Sequence, residues 1–118
     1  MASASGRSTL IAAADTMDVI FIERRFELGD SASVVLRFLR PEPEGDDYRC
    51  AYEIIWPDRA RRSYAMGIDA VQALLLAMQK AHVELQVWPE YVSGALRYLG
   101  ERDLGLPLPR SWSSDSPG

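Results

Sequence analysis

The stretch that decides the fold lies at residues 64–78 and reads YAMGIDAVQALLLAM. Before Gly67 the apolar side chains alternate with period two, which is typical of a half-buried strand. After Gly67 they recur every three or four residues, which predicts an amphipathic helix. Asp69 is well suited to cap this helix, and Gln72, three residues later, gives the pair typical of a capping box.

The predicted helix ends before Pro89, because a proline disfavours helical geometry in the residue before it. Its expected range is therefore about 70–87. At 100° per residue, one broad apolar stripe runs along this helix, and we expect that stripe to face a sheet. Its members are Ile68, Val71, Leu74, Leu75, Met78, His82 and Leu85.

Four segments before the helix alternate with period two, and in each the even-numbered positions are the more apolar ones. They span about residues 19–28, 32–40, 48–56 and 61–66. Turns at Gly29-Asp30 and Pro57-Asp58 suit hairpin connections. We predict that the even positions meet the helix stripe in one core, made by Ile20, Ile22, Phe26, Leu28, Ala32, Val34, Leu36, Phe38, Tyr48, Cys50, Tyr52, Ile54, Trp56, Tyr64 and Met66.

The predicted fold class is α+β: a four-stranded antiparallel meander with one long amphipathic helix packed on one face and a short C-terminal element. Residues 41–47 are rich in breakers and are interpreted as a loop. Residues 91–106 are expected to form a short helix or a fifth strand around Leu96 to Leu99. We expect a single domain over 17–106, flanked by two disordered segments, a leader at 1–16 and a Pro- and Ser-rich tail at 107–118.

The net charge, the cysteine count and the length of the apolar stretches argue against several classes of function. A formal net charge of -4 argues against a nucleic-acid partner, because such domains usually present a basic surface. Cys50 is the only cysteine, so no internal disulfide or multi-cysteine zinc site can form, and the cytoplasm is the expected location. No stretch approaches the ~20 apolar residues of a membrane-spanning helix, so no membrane partner is expected. Lys80 is the one lysine among 13 basic residues, a skew we attribute to a GC-rich bacterial genome.

The junction at residues 64–78 resembles the strand–Gly-x-Asp–helix junction of a family of small bacterial proteins of unknown function. The later stretch LGERDLGLP at 99–107 is similar to the end of those same proteins. The resemblance covers roughly residues 18–108 and implies the architecture predicted above. It implies no catalytic residue and leaves the function open.

His82 is the only histidine, and its phase places it on the helix stripe that faces the sheet. Cys50 lies on the inward side of the third predicted strand, so the two side chains can be neighbours. A Cys–His pair is the minimum for thiol nucleophilic catalysis. The alternative, which we favour, is that both are core residues, with an inert thiol and an imidazole bonded to Tyr48, Tyr52 or a backbone carbonyl.

Arg24 interrupts the apolar pattern of the first strand, which indicates the open end of the sheet, an ion pair at its rim, or an anion site. A paired or solvated arginine is favoured over the anion site. The loop that follows the second strand holds four carboxylates within six residues, but it lacks the spacing of an EF-hand. A solvated loop is therefore favoured over a calcium site. Its acidic residues are Glu42, Glu44, Asp46 and Asp47.

Three arginines, Arg59, Arg61 and Arg62, cluster at the last hairpin without interleaved aromatic residues. A charged sheet edge is therefore favoured over a phosphate or nucleic-acid contact. The outward, odd-numbered sheet face carries more apolar residues than a solvated face requires, and either the C-terminal segment or a second chain should cover them. Self-association as a homodimer is the interpretation we favour. These residues are Phe21, Val35, Leu39 and Ile55.

No Gly-rich phosphate loop, nucleophile elbow, Ser/His/Asp set or metal-ligand cluster can be assembled, and no cofactor is expected. Enzymatic activity stays open because carboxylates alone can catalyse reactions. The sequence favours a non-enzymatic binding or protein-interaction domain with an unknown protein partner. The alternative is a small-molecule-binding or enzymatic domain that uses the helix–sheet interface near His82, Arg24 and Tyr52, the candidate ligand-binding residues.

Overall fold

The computed structural model describes residues 19–109. Within this range the chain forms β1 (Ile20–Leu28), β2 (Ala32–Leu39), β3 (Glu42–Glu44), β4 (Asp47–Ile55), β5 (Ala60–Gly67), α1 (Ala70–Gln86), α2 (Pro89–Val92) and β6 (Leu96–Arg97). The predicted α+β class, the antiparallel sheet and the single main helix are confirmed. The sheet has six strands over the described range rather than the predicted four.

All strand pairs are antiparallel, and across the sheet the order is β5–β4–β2–β1–β6. The short β3 pairs with the first residues of β4, on the same edge of β4 that pairs with β2 nearer its end. Tyr52 of β4 pairs with Phe38 of β2, and Arg49 of β4 pairs with Glu42 of β3. The strand β5 takes the other edge of β4. The two edge strands of the main sheet are therefore β5 and β1, and β6 covers only the last two residues of β1.

The segment predicted as a loop at 41–47 contains β3, so this prediction is wrong. Gly45 closes a tight turn between β3 and β4 with a φ of 64°, a left-handed conformation that glycine adopts without steric cost. Pro43 is tolerated because β3 pairs on one side only, as edge strands that contain proline do. For residues 91–106 the sequence predicts a short helix or a strand around Leu96 to Leu99. The strand occurs as the two-residue β6, and the one-turn helix α2 reaches into this segment only at residues 91–92.

The core lies on the inner face of the sheet, under α1. The even-numbered side chains of β2 and β4 are buried there from Val34 and Cys50 onward, as the alternation predicts. Tyr48 is half-buried, and Ala32 at the start of β2 is exposed, so its predicted place in the core is wrong. Phe26 of β1 and Leu96 of β6 extend the same layer. The buried even positions of β2 and β4, with Trp56 next to β4, are Val34, Leu36, Phe38, Cys50, Tyr52, Ile54 and Trp56.

The strand β5 departs from the predicted parity. Ala65 pairs with the buried Cys50, whereas Tyr64 pairs with Ala51. Cross-strand partners point to the same face of a sheet, so the small Ala65 faces the core and the exposed Tyr64 faces outward. The prediction that Tyr64 and Met66 face the helix is therefore wrong. It failed because the larger side chains of β5 lie on the outer face.

The start of β1 also departs from the predicted pattern. The register shifts by one residue between Ile20 and Ile22, which places Ile22 opposite Phe38 but Ile20 opposite Leu39. Consecutive residues of a strand point to opposite faces. Ile22 therefore keeps the inward orientation, but it is 39% exposed, so its predicted burial is wrong. For Ile20 the inward placement itself is wrong.

The helix α1 packs on the sheet through alanines rather than through the predicted stripe. Its fully buried positions include Ala73, Ala77 and Ala81. A Cβ added to Gly67 would lie 2.3 Å from the backbone nitrogen of Ala73, so the backbones of β5 and α1 are nearly in contact. Small residues on both sides allow this approach, because no side chain separates the two backbones.

The predicted stripe is correct for His82 and Leu85, which are buried. Leu74 and Met78 are half-buried and pack against the core. The prediction is wrong for Ile68, Val71 and Leu75, because these three side chains are exposed and face away from the sheet. The predicted capping is confirmed, since the Asp69 side chain accepts a hydrogen bond from the backbone N–H of Gln72 at 2.8 Å.

The part of the inner face near β1 is covered by the segment that follows β6. Leu104 is fully buried, and the Tyr98 ring packs edge-on against Phe26 with ring centroids 5.9 Å apart. Residues 107–109 are half-buried. The predicted leader at 1–16 lies outside the described residues, as does the predicted tail beyond residue 109.

Candidate interaction surface

Two of the three candidate ligand-binding residues hold the C-terminal segment in place. Arg24 donates through Nη1 to the carbonyl oxygens of Leu104 and Gly105, at 3.1 and 2.9 Å, and its guanidinium lies 4.1 Å from the centre of the Tyr98 ring. His82 Nδ1 lies 3.2 Å from the carbonyl oxygen of Pro107. These two side chains thus bind backbone carbonyls of one segment, Leu104 to Pro107.

The third candidate, Tyr52, belongs to a different group of contacts. Its hydroxyl donates to Glu84 of α1 at 2.7 Å, and Arg61 of β5 forms an ion pair with the other oxygen of the same carboxylate. Burial, and then the adjacent Glu84 carboxylate, raises the pKa of Tyr52 above its usual value. Tyr52 therefore ties the helix to the sheet, and it shares no hydrogen bond with Arg24 or His82.

Cys50 is a buried thiol with a local partner. Its Sγ donates to the carbonyl oxygen of Leu39 at 3.4 Å. Burial raises the pKa of Cys50 to about 11, so the reactive thiolate is scarce at neutral pH. Cys50 and His82 are bonded to different carbonyl groups, which is the core arrangement favoured in the sequence analysis.

The acidic segment at 42–47 is a hairpin whose glutamates form ion pairs. Glu42 pairs with Arg40 at 3.2 Å, and Glu44 pairs with Arg49 at 3.5 Å. Across residues 19–109 no group of three or more histidine, cysteine, aspartate or glutamate side chains is placed to hold a metal ion. Within the same range, no helix combines the length and the apolar character needed to cross a membrane.

Arg59 has two aromatic neighbours that the sequence analysis missed. Its guanidinium lies 4.3 Å from the ring centres of both Trp56 and Trp88, and it pairs with Asp58 and Glu90 at 2.7 and 2.9 Å. Trp88 comes from the junction between α1 and α2, more than twenty residues further along the chain. This cluster fastens the β4–β5 turn to the end of α1.

The outer face of the sheet carries a row of alternating charges across four strands. Glu23 lies opposite Arg37, which lies opposite Glu53, which lies opposite Arg62. Arg37 binds Glu23, and Arg62 binds Glu53, each at 3.2 Å. Opposite charges at facing positions stabilise neighbouring strands. The middle of this face therefore has the character of a solvated surface.

The apolar residues predicted on the outer face differ in their accessibility. Leu39 is buried, Val35 and Ile55 are half-buried, and Phe21 is exposed. Leu39 lies at a groove of about 200 Å³ that contains none of the candidate ligand-binding residues. The groove is lined by Leu39, Arg40, Glu42, Pro43, Glu44, Arg49, Ala51 and Arg62.

An apolar stripe at the start of α1 remains largely uncovered by the described part of the chain. Ile68, which precedes the N-cap Asp69, is 73% exposed, Val71 76% and Leu75 43%, whereas Met78 is half-buried and packs in part against the core. These four residues are here called the α1 seam, and its three helical members, Val71, Leu75 and Met78, are spaced four and three residues apart. That spacing is the one found where two helices pack along a narrow line.

The charged side chains of α1 point away from the seam. The helix, Ala70–Gln86, contains two of them, Lys80 and Glu84, apart from its histidine. Lys80 donates to the backbone carbonyl of Tyr64 at 2.8 Å, and Glu84 binds Tyr52 and Arg61. Both therefore contact the β4–β5 side of the sheet. A surface helix usually presents charged residues to water, and this one presents an uncharged face.

Comparison with known protein families matches residues 22–108 to a domain of unknown function, DUF6968. The chain belongs to this family. The matched region runs from β1 to the segment held by Arg24 and His82, so it includes the α1 seam. The expected membership of a family of unknown function is thus confirmed. No curated protein and no solved structure matches the chain.

Proposed function

We propose that this chain is a non-enzymatic protein-interaction domain that docks its partner on the α1 seam. The observation that carries the proposal is the exposure of Ile68, Val71 and Leu75 at the start of a helix whose charged residues are bound elsewhere. Protein interfaces are depleted of charge at their centres, and exposed apolar patches mark docking sites.

The energetics favour a docked seam. Burial of an exposed valine, leucine or isoleucine side chain contributes roughly 1.5–3 kcal/mol. The seam offers three such side chains, and the loss of rotational and translational freedom on association offsets part of the gain. The seam is therefore large enough to give affinity and small enough to permit dissociation.

The contacts of the candidate ligand-binding residues support a non-enzymatic role. Arg24, His82 and Tyr52 hold the C-terminal segment and α1 against the sheet. A substrate at the helix–sheet interface would have to displace these partners, so the alternative of a ligand-binding or enzymatic domain is less well supported. We also propose a bacterial and cytoplasmic origin, on the basis of the arginine-rich composition and the single cysteine.

The proposal is tested with a photo-crosslinking amino acid at Leu75 in the full chain, expressed in the cells from which it comes. A matched control carries the same group at Val92, an apolar position on α2 that is 66% exposed. The expected result is a discrete adduct from Leu75 and none from Val92. The adducted protein is identified by mass spectrometry, purified and titrated against wild type and Val71→Glu.

A partner that binds the wild type at least tenfold more tightly than Val71→Glu supports docking on the seam. Equal crosslinking from Leu75 and Val92, or equal affinity of the two proteins for the partner, contradicts it. Val71→Glu is a suitable probe because a carboxylate in the first turn of a helix interacts favourably with the helix dipole. The substitution should therefore leave the fold intact.

A further inference from the structure

We infer that the occupant of the α1 seam is the same helix of a second copy of this chain, packed across a two-fold axis. This inference rests on the proposed function, because it names the partner for the same seam. Three observations lead to it: the spacing of the seam residues, their match to a reversed copy of themselves, and the distribution of charge over the molecule.

The spacing selects a helix as the docking element. Side chains three and four residues apart form a line along one side of a helix, and the side chains of a second helix fit between them. An extended strand places its contacts two residues apart and does not match this line. The helical part of the seam, from Val71 to Met78, is about two helical turns long.

The seam is also complementary to its own reversed copy. If the two-fold axis passes near Leu75, then Leu75 meets Leu75 of the second copy, and Val71 lies near Met78 of the second copy. In such an isologous interface each contact occurs twice. No charged side chain lies on the seam, so this pairing places apolar groups against apolar groups throughout.

The charge distribution favours this face for self-association. The chain has a formal net charge of -4, so two copies repel each other in general. By helical phase the residues beside the seam are Gln72 and Gln79, which are uncharged. The outer sheet face instead carries the row of charges from Glu23 to Arg62. Two copies can therefore approach along α1 without bringing like charges together.

The dimer should be weak and reversible. A seam of four side chains on each copy lies at the low end of specific interface sizes, below about 1,200 Å². Interfaces of this size are typical of transient association, so we expect a dissociation constant on the order of 10–100 µM. The measurements should therefore cover chain concentrations from below to above this range.

The first test is sedimentation equilibrium of the purified full chain, for wild type, Val71→Glu and Val92→Glu. The wild type and Val92→Glu should show the same concentration-dependent shift from monomer to dimer. Val71→Glu should raise the dissociation constant at least tenfold while its circular dichroism spectrum and melting temperature stay close to those of the wild type. Val92→Glu makes the same chemical change at another well-exposed valine.

The second test uses disulfide formation at the predicted axis. Leu75→Cys should form a covalent dimer under mild oxidation, because the two-fold axis places this position against itself. Val92→Cys should remain monomeric under the same conditions. The native Cys50 does not interfere, since it is buried.

A dimer that is unchanged by Val71→Glu and gives no Leu75→Cys disulfide overturns the inference. A purified chain that stays monomeric at millimolar concentration also overturns it. Residues 1–18 or 110–118 of the same chain are the other occupants to distinguish: if they covered the seam, the chain would stay monomeric and Val71→Glu would lower its melting temperature. A monomeric chain that still gives a Leu75 adduct with another protein removes the second-copy inference and leaves the proposed function standing.

Discussion

The two sides of α1 are both apolar, but only one of them is buried by the described chain. The side with the smaller residues, Ala73, Ala77 and Ala81, packs against the sheet, and the side with the larger residues, the α1 seam, is exposed. Hydrophobicity alone predicts the opposite orientation. The difference shows that the fit between two backbones can decide which side of a helix faces the core.

The alanine side is buried because β5 offers it a matching surface. Ala65 and Gly67 face the helix, and the added Cβ at Gly67 would fall within 2.3 Å of the helix backbone. Leucine or isoleucine at these helix positions would hold α1 away from the sheet and leave gaps between the two layers. Small residues thus bring the layers together, and the larger apolar side chains remain for another contact.

The largest expected effect comes from Gly67→Ala, which disrupts the buried side of this comparison. The new methyl group meets the backbone of Ala73 and can be accommodated only if β5 and α1 move apart. Overpacking of this kind costs about 3 kcal/mol of unfolding free energy. Urea denaturation measures the loss, and a variant as stable as the wild type would show that the two backbones are not closely packed.

A smaller effect is expected from Arg24→Ala, which weakens the other cover of the inner face. The substitution removes two hydrogen bonds to carbonyl groups of the C-terminal segment and the contact with Tyr98. Because these contacts are partly exposed, we expect a loss of about 2 kcal/mol. The adjacent Arg25→Ala is the control, since Arg25 is exposed on the other face. Equal losses from the two variants would argue against the anchoring role of Arg24.

Tyr52→Phe tests the bond that ties the sheet-facing side of α1 to β4. At neutral pH it should cost about 1 kcal/mol, because the hydrogen bond to Glu84 is lost. The pKa of Tyr52 is raised in the folded state from its ordinary value of 10.0. The hydroxyl therefore contributes stability below pH 10 that the wild type loses as the pH rises further, because the unfolded tyrosine ionises first.

The stability difference between wild type and Tyr52→Phe should therefore shrink above pH 10. Cys50, whose pKa is also raised, contributes equally to both proteins and cancels in the difference. Chemical denaturation at several pH values between 7 and 11 measures this trend. A difference that stays constant over the whole series contradicts the assignment to Tyr52.

The smallest effect on the monomer is expected on the exposed side of α1. Leu75→Ala removes a side chain that is 43% exposed, at a position where alanine favours helix formation. The unfolding free energy should change by less than about 0.5 kcal/mol, measured at a concentration at which the chain is monomeric. A loss comparable to that of Gly67→Ala would mean that the α1 seam is part of the monomer core.

The alternation of apolar residues predicted the inner face of β2 from Val34 and of β4 from Cys50 correctly, because the outer face of both strands is the more polar one. The capping pair Asp69 and Gln72 predicted the start of α1, since capping depends on local chemistry. In β5 the alternation misled, because Tyr64 is larger and more apolar than Ser63. The inward residues under the start of the helix, Ser63, Ala65 and Gly67, are small for a reason that lies in the helix, outside the local pattern.

The candidate site was less predictable because its contacts join distant parts of the chain. Arg24 binds carbonyl groups 80 and 81 residues further along, and His82 binds one 25 residues further along. Backbone carbonyls carry no sequence signal, so no pattern distinguishes an anchoring arginine from a ligand-binding one. The helical spacing of Val71, Leu75 and Met78 was visible in the sequence, but spacing alone does not tell whether a sheet or another helix packs against these residues.

The contact between Lys80 and the Tyr64 carbonyl has a consequence for chemical labelling. Lys80 supplies the only side-chain amine of the chain, and it caps a backbone acceptor of the edge strand β5. Acylation of this amine removes its positive charge and releases the carbonyl for pairing with a foreign strand. Amine-reactive dyes or surface-coupling reagents should therefore promote aggregation of this protein, whereas thiol coupling at an introduced cysteine leaves the edge protected.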